Sequence, residues 1–197
     1  MIKEKLIRTF LAVELPQRVK STVLNLQTTI QAKPRVVKWV KMDNIHLTLR
    51  FIGPTPEREV PRISAEVKKA IAQHNDLSLF ICGTGVFPKP QRPRVLWLGT
   101  DGEVQKLKDL VSDINSELEK LGFPAEEREY SPHITIGRIR YPQKITPDVT
   151  NFLNSEYDPI EVKVQSVKYF QSDLVPGGPI YSILGVYQLT PKSAEEN

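Results

Sequence analysis

The chain has 197 residues, 40% of them hydrophobic and 25% charged, with a formal net charge of +4. That is long enough to bury a core in one compact domain or two small lobes, and the composition is that of a soluble globular protein. No apolar run reaches the roughly 20 residues that cross a bilayer, the lone Cys82 excludes an internal disulfide, and the mild basic bias is not the strongly basic tail of a dedicated nucleic-acid binder.

The opening MIKEKLIRTFLAVEL holds a short apolar run without a small-residue cleavage site, so a cytoplasmic protein is expected. Within it LIRTFLAVEL reads as a strand, and residues 17–31 read as an amphipathic helix. VVKWV and HLTLRFIG are strands joined by a turn at residues 42–44, with Pro54 and Pro56 ending the run and residues 57–73 helical. LSLFICGTGVF and VLWLG follow as strands on either side of the proline-rich FPKPQRPRV. Asp101 is placed to cap a long helix over residues 103–121, which Gly122 closes. HITIGRIR is the next strand, followed by a short helix over residues 147–154. Two strands, IEVKVQSVKYFQS and IYSILGVYQL, complete the pattern, with residues 191–197 a frayed tail on a single domain spanning 1–190. Adjacent strands on short turns predict antiparallel sheets carrying helices, an α+β fold.

Two of the three histidines lie in one repeated sentence, His46-Leu47-Thr48-Leu49 and His133-Ile134-Thr135-Ile136. Strand alternation projects His46 with Thr48, and His133 with Thr135, from one face while the aliphatic partners are buried behind. An imidazole with a pKa of about 6.5 can take or give a proton near neutrality. Two of them on opposite sides of a phosphorus atom supply the base and the acid of an in-line displacement. The threonine hydroxyls can donate to non-bridging oxygens as charge builds on them. No Cys-x-x-Cys, His-Asp pair or Asp-x-Asp suggests a metal set, and no cofactor is expected. His74, at the polar end of a helical stretch, is read as solvated, and Cys82 as a small buried hydrophobe. Lys33, Arg35, Lys38 and Lys41 precede the first motif, Lys89, Arg92 and Arg94 occupy the proline-rich loop, and Arg138 and Arg140 follow the second motif. Such a distribution suits a polyanion such as RNA.

The doubled motif, with RTFLAVELP, WVKMDNIHLTLRFIG, RVLWLG, SPHITIGRIR and SDLVPGGPIYSILGVYQL, resembles the two-histidine (2H) phosphoesterase superfamily over most of the chain. It is most similar to the RNA 2′,3′-cyclic phosphodiesterase branch, also called 2′–5′ RNA ligase. The resemblance implies a bilobal, pseudo-two-fold fold of two antiparallel-sheet lobes with helices on the outer faces and a basic central cleft. It implies metal-independent hydrolysis of an RNA terminal 2′,3′-cyclic phosphate to a 2′-phosphate by a monomer, with tRNA fragments among the candidate partners. His46 would be the proton donor, His133 the proton acceptor, and Thr48 and Thr135 would hold the phosphate oxygens. Five residues after each histidine, Phe51 would stack on the terminal base and Arg138 would reach the phosphate. Strict alternation turns both away from the histidines, unless Gly137 permits a bulge, and makes Arg50 a second candidate on the histidine face. The same residues would serve 2′–5′ ligation of cyclic-phosphate and 5′-hydroxyl ends, or a nucleotide- or RNA-binding module that has no turnover.

Overall fold

The computed structural model describes residues 4–32, 36–140 and 145–192. In chain order the elements are β1 (Leu6–Glu14), α1 (Gln17–Gln27), β2 (Val37–Trp39), β3 (His46–Pro56), α2 (Val60–Ile71), β4 (Leu77–Phe87), β5 (Val95–Gly102), α3 (Val104–Lys120), β6 (Ile134–Ile139), α4 (Thr150–Leu153), β7 (Ile160–Val164), β8 (Ser166–Val175) and β9 (Gly178–Gln188). They build one sheet in the order β3-β1-β8-β9 and a second in the order β2-β6-β5-β4-β7. All pairings between these strands are antiparallel. The fold is α+β, as expected.

Each sheet, followed outward from its motif strand, has one pattern. The order β3-β1-β8-β9 corresponds to β6-β5-β4-β7, and β2 is an extra strand outside β6. This correspondence is the pseudo-two-fold relation, and it exchanges material between the halves of the chain. β4, which follows the first motif, pairs beside β5 in the second sheet, while β8 and β9 return to cover β1 in the first.

That return corrects one reading. IEVKVQSVKYFQS is two strands in different sheets, parted at Gln165. Buried Ile160, Val162 and Val164 keep a period of two, but the next buried residue is Val167. The one-residue phase slip lies where the chain leaves one sheet for the other.

The helices present their apolar stripes to the sheet faces opposite the histidines. Val19, Val23 and Leu26 of α1, Ile63, Val67 and Ile71 of α2, and Leu107, Leu110, Ile114 and Leu118 of α3 are all buried. They share one cluster with Leu47, Leu49, Ile134 and Ile136 from behind the two motifs. Each such side chain contributes about 1.5–3 kcal/mol by leaving water. A small separate cluster of Phe10, Ala12 and Phe170, with Tyr181 against it, covers the opposite face of the first sheet.

Local chemistry departs from expectation at several ends. β3 continues through Pro54, opposite Arg8, to Pro56, opposite Leu6. It lies at the edge of its sheet, where a residue without an N–H is tolerated. Asp101 does not cap α3; it accepts the Gly102 N–H at 2.7 Å, and Glu103 occupies the cap position without a side-chain capping bond to the helix backbone. Gly122 does end α3, at φ 88°, with the Phe123 and Gly122 amides donating to Leu118 O and Glu119 O at 3.0 and 2.9 Å. His74 is not simply solvated, because its Nε2 lies 2.8 Å from Asp113 Oδ2. Lys192, expected in a frayed tail, is held in place: its amide donates to Asp76 and its ammonium pairs with Glu103; residues 193–197 lie outside the described residues. Among the described residues no helix is long and apolar enough to cross a membrane.

Candidate active site

The two motif strands carry the same irregularity at the same place. In β3, Thr48 faces Ala12 and Arg50 faces Leu11, so Leu49 is the extra residue of a bulge. In β6, Thr135 faces Trp97 and Gly137 faces Leu96, so Ile136 is the extra residue. Each bulge lies three residues after the histidine and inverts the alternation that follows. Leu49 and Arg50 are both buried, and Phe51 emerges 52% exposed on the cleft side. Ile136 and Gly137 are both buried, and Arg138 emerges exposed.

Phe51 and Arg138 therefore join the histidine face, which strict alternation denied them, and Arg50 leaves it. The bulge is at Ile136 and not at Gly137. Gly137 instead makes room for a neighbouring ring, since a Cβ there would come within 2.8 Å of Trp39, its partner across β2 and β6. Arg50, although it touches the cavity wall, turns its guanidinium to the turn after α3. Nη2 donates to the carbonyls of Phe123, at 3.4 Å, and Pro124.

His46, Thr48, Phe51, His133, Thr135 and Arg138 line one cavity of about 600 Å³. His46 Nδ1 lies 2.8 Å from Asn44 O and His133 Nδ1 lies 2.8 Å from Ser131 O, the same i−2 contact in both copies. A carbonyl can only accept, so Nδ1 carries the hydrogen, and the neutral tautomer leaves Nε2 as an acceptor. Each imidazole is walled by aromatic rings. Phe10 and Tyr181 lie 5.0 and 5.6 Å from His46, and Phe87 and Trp97 lie 5.2 and 6.4 Å from His133, between centroids. Burial pushes the His46 pKa below its ordinary value, and the bond to Asn44 O opposes this only in part.

Two hydrogen bonds fix this geometry, the first of them between the sheets. The Tyr130 hydroxyl, three residues before His133, donates to Thr48 O at 2.9 Å. Burial holds that phenol well above its ordinary pKa, so it stays a donor. Asn44 Nδ2 donates to Pro179 O at 2.8 Å, which anchors the β8–β9 turn beside His46. Tyr130, Tyr181 and Asn44 have no counterpart in the motif pattern. The one hint was position, since Asn44 and Tyr130 stand just ahead of the two motifs.

Of the basic residues, Lys38, Lys41, Arg50, Arg128 and Arg138 line the cavity, with Lys38 directly opposite Arg138 across β2 and β6. Lys89, Arg92, Arg94 and Arg140 are not among its lining residues. Lys33 and Arg35 lie outside the described residues. Cys82 is only half-buried, and burial raises its thiol pKa.

This arrangement has close parallels among known proteins. The sequence profile of the LigT like Phosphoesterase family matches residues 13–97 and again 98–181, one match over each motif. The RNA 2′,3′-cyclic phosphodiesterase of Methanothermobacter thermautotrophicus is 34% identical over 186 residues, which are 93% of this chain and 99% of that protein. The protein of the same name from Thermotoga maritima is 34% identical over 180 residues, 90% and 93% of the two chains. The crystal structure of TT0787 of Thermus thermophilus superposes with a TM-score of 0.79 at 28% identity, over 95% of this chain and 100% of that one. The Escherichia coli LigT structure complexed with 3′-AMP has the same fold, with a TM-score of 0.74 at 23% identity over 94% and 99% of the chains. With both halves matched, each around its own histidine strand, and the relatives aligned almost end to end, this chain belongs to the LigT-like phosphoesterase family.

Proposed function

We propose that the protein hydrolyses the 2′,3′-cyclic phosphate at the 3′ end of RNA to a 2′-phosphate, without a metal ion. The observation that carries the reading is the symmetry of the two imidazoles: one cavity, and each Nδ1 tied to a backbone carbonyl two residues back. The names of the relatives support the substrate class. In this reaction water attacks phosphorus and the bond to the 3′-oxygen breaks. His133 takes the proton of the attacking water, and His46 gives a proton to the departing 3′-oxygen. The Thr48 and Thr135 hydroxyls and the Arg138 guanidinium hold the non-bridging oxygens, where charge accumulates. Phe51 and Tyr181 offer ring faces to the terminal base, which any base can use. Both proton transfers are carried by imidazole, so the chemistry needs no Lewis acid. The lysines beside the cavity favour the anionic backbone of an RNA over a small neutral ester.

The test uses a short RNA ending in a 2′,3′-cyclic phosphate, incubated with the protein in EDTA, with the phosphomonoester identified by chromatography. Conversion to the 2′-phosphate is expected. A 3′-phosphate product, or no turnover while the RNA still binds, sinks the reading. His46→Ala and His133→Ala should each lower kcat by roughly 10²–10⁴-fold with circular dichroism unchanged. Either variant keeping a tenth of the parent rate would remove the paired acid–base scheme.

A further inference from the structure

The β8–β9 hairpin does not stay in the plane of its sheet. β8 pairs with β1 over residues 168–171, opposite residues 9–12, whereas it pairs with β9 as far as Val175 and Gly178. Continued flat, the tip would lie beside the start of β1 and the Pro56 end of β3, because Leu6 faces Pro56 and Glu14 faces His46. It lies instead at the His46 end. Asn44 Nδ2 donates to Pro179 O at 2.8 Å, and a Cβ on Gly177 or Gly178 would lie 3.6 or 3.8 Å from the Lys41 side chain. The hairpin therefore folds back across the open face of the sheet. The Tyr181 ring comes 4.9 Å from Phe10, 6.1 Å from Phe170 and 5.6 Å from His46, between centroids. Leu174, Val175 and Ile180 remain exposed on it, so little packing holds the tip down and the Asn44 bond weighs heavily. The second sheet is built differently. β7 stands there in the place of β9 with five residues against eleven, and Ser131, the counterpart of Asn44, is exposed.

One residue joins this hairpin to the chemistry. The Asn44 carbonyl accepts the His46 Nδ1–H at 2.8 Å, its side chain holds Pro179 O, and its own amide donates to Lys41 O at 2.8 Å. Asn44 is buried at the end of the short turn over residues 42–44, so with all three groups engaged its side chain and its carbonyl move together. We infer that Asn44 is a positioning residue that locks the donor imidazole in its working orientation when the β8–β9 hairpin is closed over it. The inference rests on the function proposed above. With the hairpin down, the Nδ1–H is fixed on the carbonyl, Nε2 is aimed at the departing 3′-oxygen, and water is kept from that side, so the proton passes to the ribose. Lifting the hairpin leaves a buried amide N–H unpaired, which is costly, and frees the carbonyl to turn. Entry of substrate and release of product thus go with a slackened donor, and closure restores it. His133 carries no such cover, which suits a base whose partner is water: the two-fold relation between the halves breaks where the roles of acid and base part.

The experiment compares the parent with two variants and their combination. Asn44→Ala removes the side-chain donor and keeps the carbonyl. A shortened hairpin, with Asn-Gly in place of residues 174–179, removes the acceptor and keeps Tyr181. Hydrolysis of adenosine 2′,3′-cyclic phosphate is followed, and long-range proton–nitrogen NMR spectra report the tautomer of each imidazole at a pH where the rings are neutral. Each variant should lower kcat by roughly tenfold or more, with KM changing less. The double variant should be no slower than the slower single one, because both changes break the same bond. His46 should pass from the Nδ1–H form to a mixture of tautomers while His133 keeps its own, whereas a general loosening of the fold would alter both. An unchanged kcat, losses that multiply in the double variant, a loss confined to KM, or equal changes at the two histidines overturns the assignment. If the parent hydrolyses no cyclic phosphate, that failure belongs to the proposed function, and the His46 spectrum of the variants still decides the role of Asn44.

Discussion

The His46 imidazole sits between the rings of Phe10 and Tyr181. Burial holds its ring toward the neutral form, although the role proposed for it requires a proton. The substrate can resolve this. A phosphate anion beside the ring favours the imidazolium, so the pKa should rise when the site is filled. The free protein should show a His46 titration midpoint below about 6.5 in an NMR pH series, and adenosine 2′-phosphate should move it upward. Linkage fixes the sign of the coupled effect. A ligand that raises this pKa binds most tightly below the midpoint of the free protein, and its affinity falls as pH climbs through the midpoint of the complex. Inhibition by adenosine 2′-phosphate should therefore weaken across that interval, and His46→Ala should flatten its pH dependence. A midpoint indifferent to the nucleotide would remove His46 as the donor.

At the scale of the strand, one extra residue decides which arginine does chemistry. Arg50 and Arg138 were both candidates for the phosphate, and the bulges at Leu49 and Ile136 send them to opposite sides of their sheets. Arg50, 5% exposed, bonds the carbonyls that the left-handed turn after α3 presents. Arg138 emerges into the cleft. Arg50→Met should thus lower the unfolding free energy by about 1.5–3 kcal/mol, the worth of hydrogen bonds from a charged group, with activity per folded molecule nearly kept. Arg138→Met should do the opposite, leaving the denaturant midpoint in place and lowering kcat/KM. The crossed pattern needs only a urea melt and a rate for each variant; the reverse pattern would mean that parity, not the bulge, describes the strand. This is also where legibility ended. Alternation named the histidines, the threonines and the buried leucines, because those positions precede the bulge. Beyond it, Leu49-Arg50 reads like any other apolar–polar step, and nothing in LTLRFIG marks an unpaired residue. In ITIGRI the glycine drew attention one place too late, since Gly137 makes room for Trp39.

The order of strands and helices was readable because periods of two and near four are distinct, but the allocation of strands to sheets was not. It depends on partners far apart in sequence, and IEVKVQSVKYFQS betrays its crossing only as a phase slip at Gln165. The allocation has a consequence for the whole molecule. The family profile matches the chain as two successive halves, yet neither half contains a complete sheet. The sheet of His46 needs β8 and β9 from the end of the chain, and the sheet of His133 needs β2 and β4 from its beginning. Behind both sheets runs one cluster of buried side chains, from Leu11 and Leu47 through Ile134 to Tyr187. Two lobes with separate cores would melt separately; lobes that exchange strands and share a core should melt together. Scanning calorimetry should therefore give one transition, with the calorimetric and van't Hoff enthalpies equal. A fragment ending at residue 92 would leave β1 without β8 along one edge and should stay unfolded alone. It should regain strand signal and cyclic-phosphate hydrolysis when refolded with the complementary piece. Two resolved transitions, or a first fragment that folds unaided, would show that the duplicated halves had kept their independence.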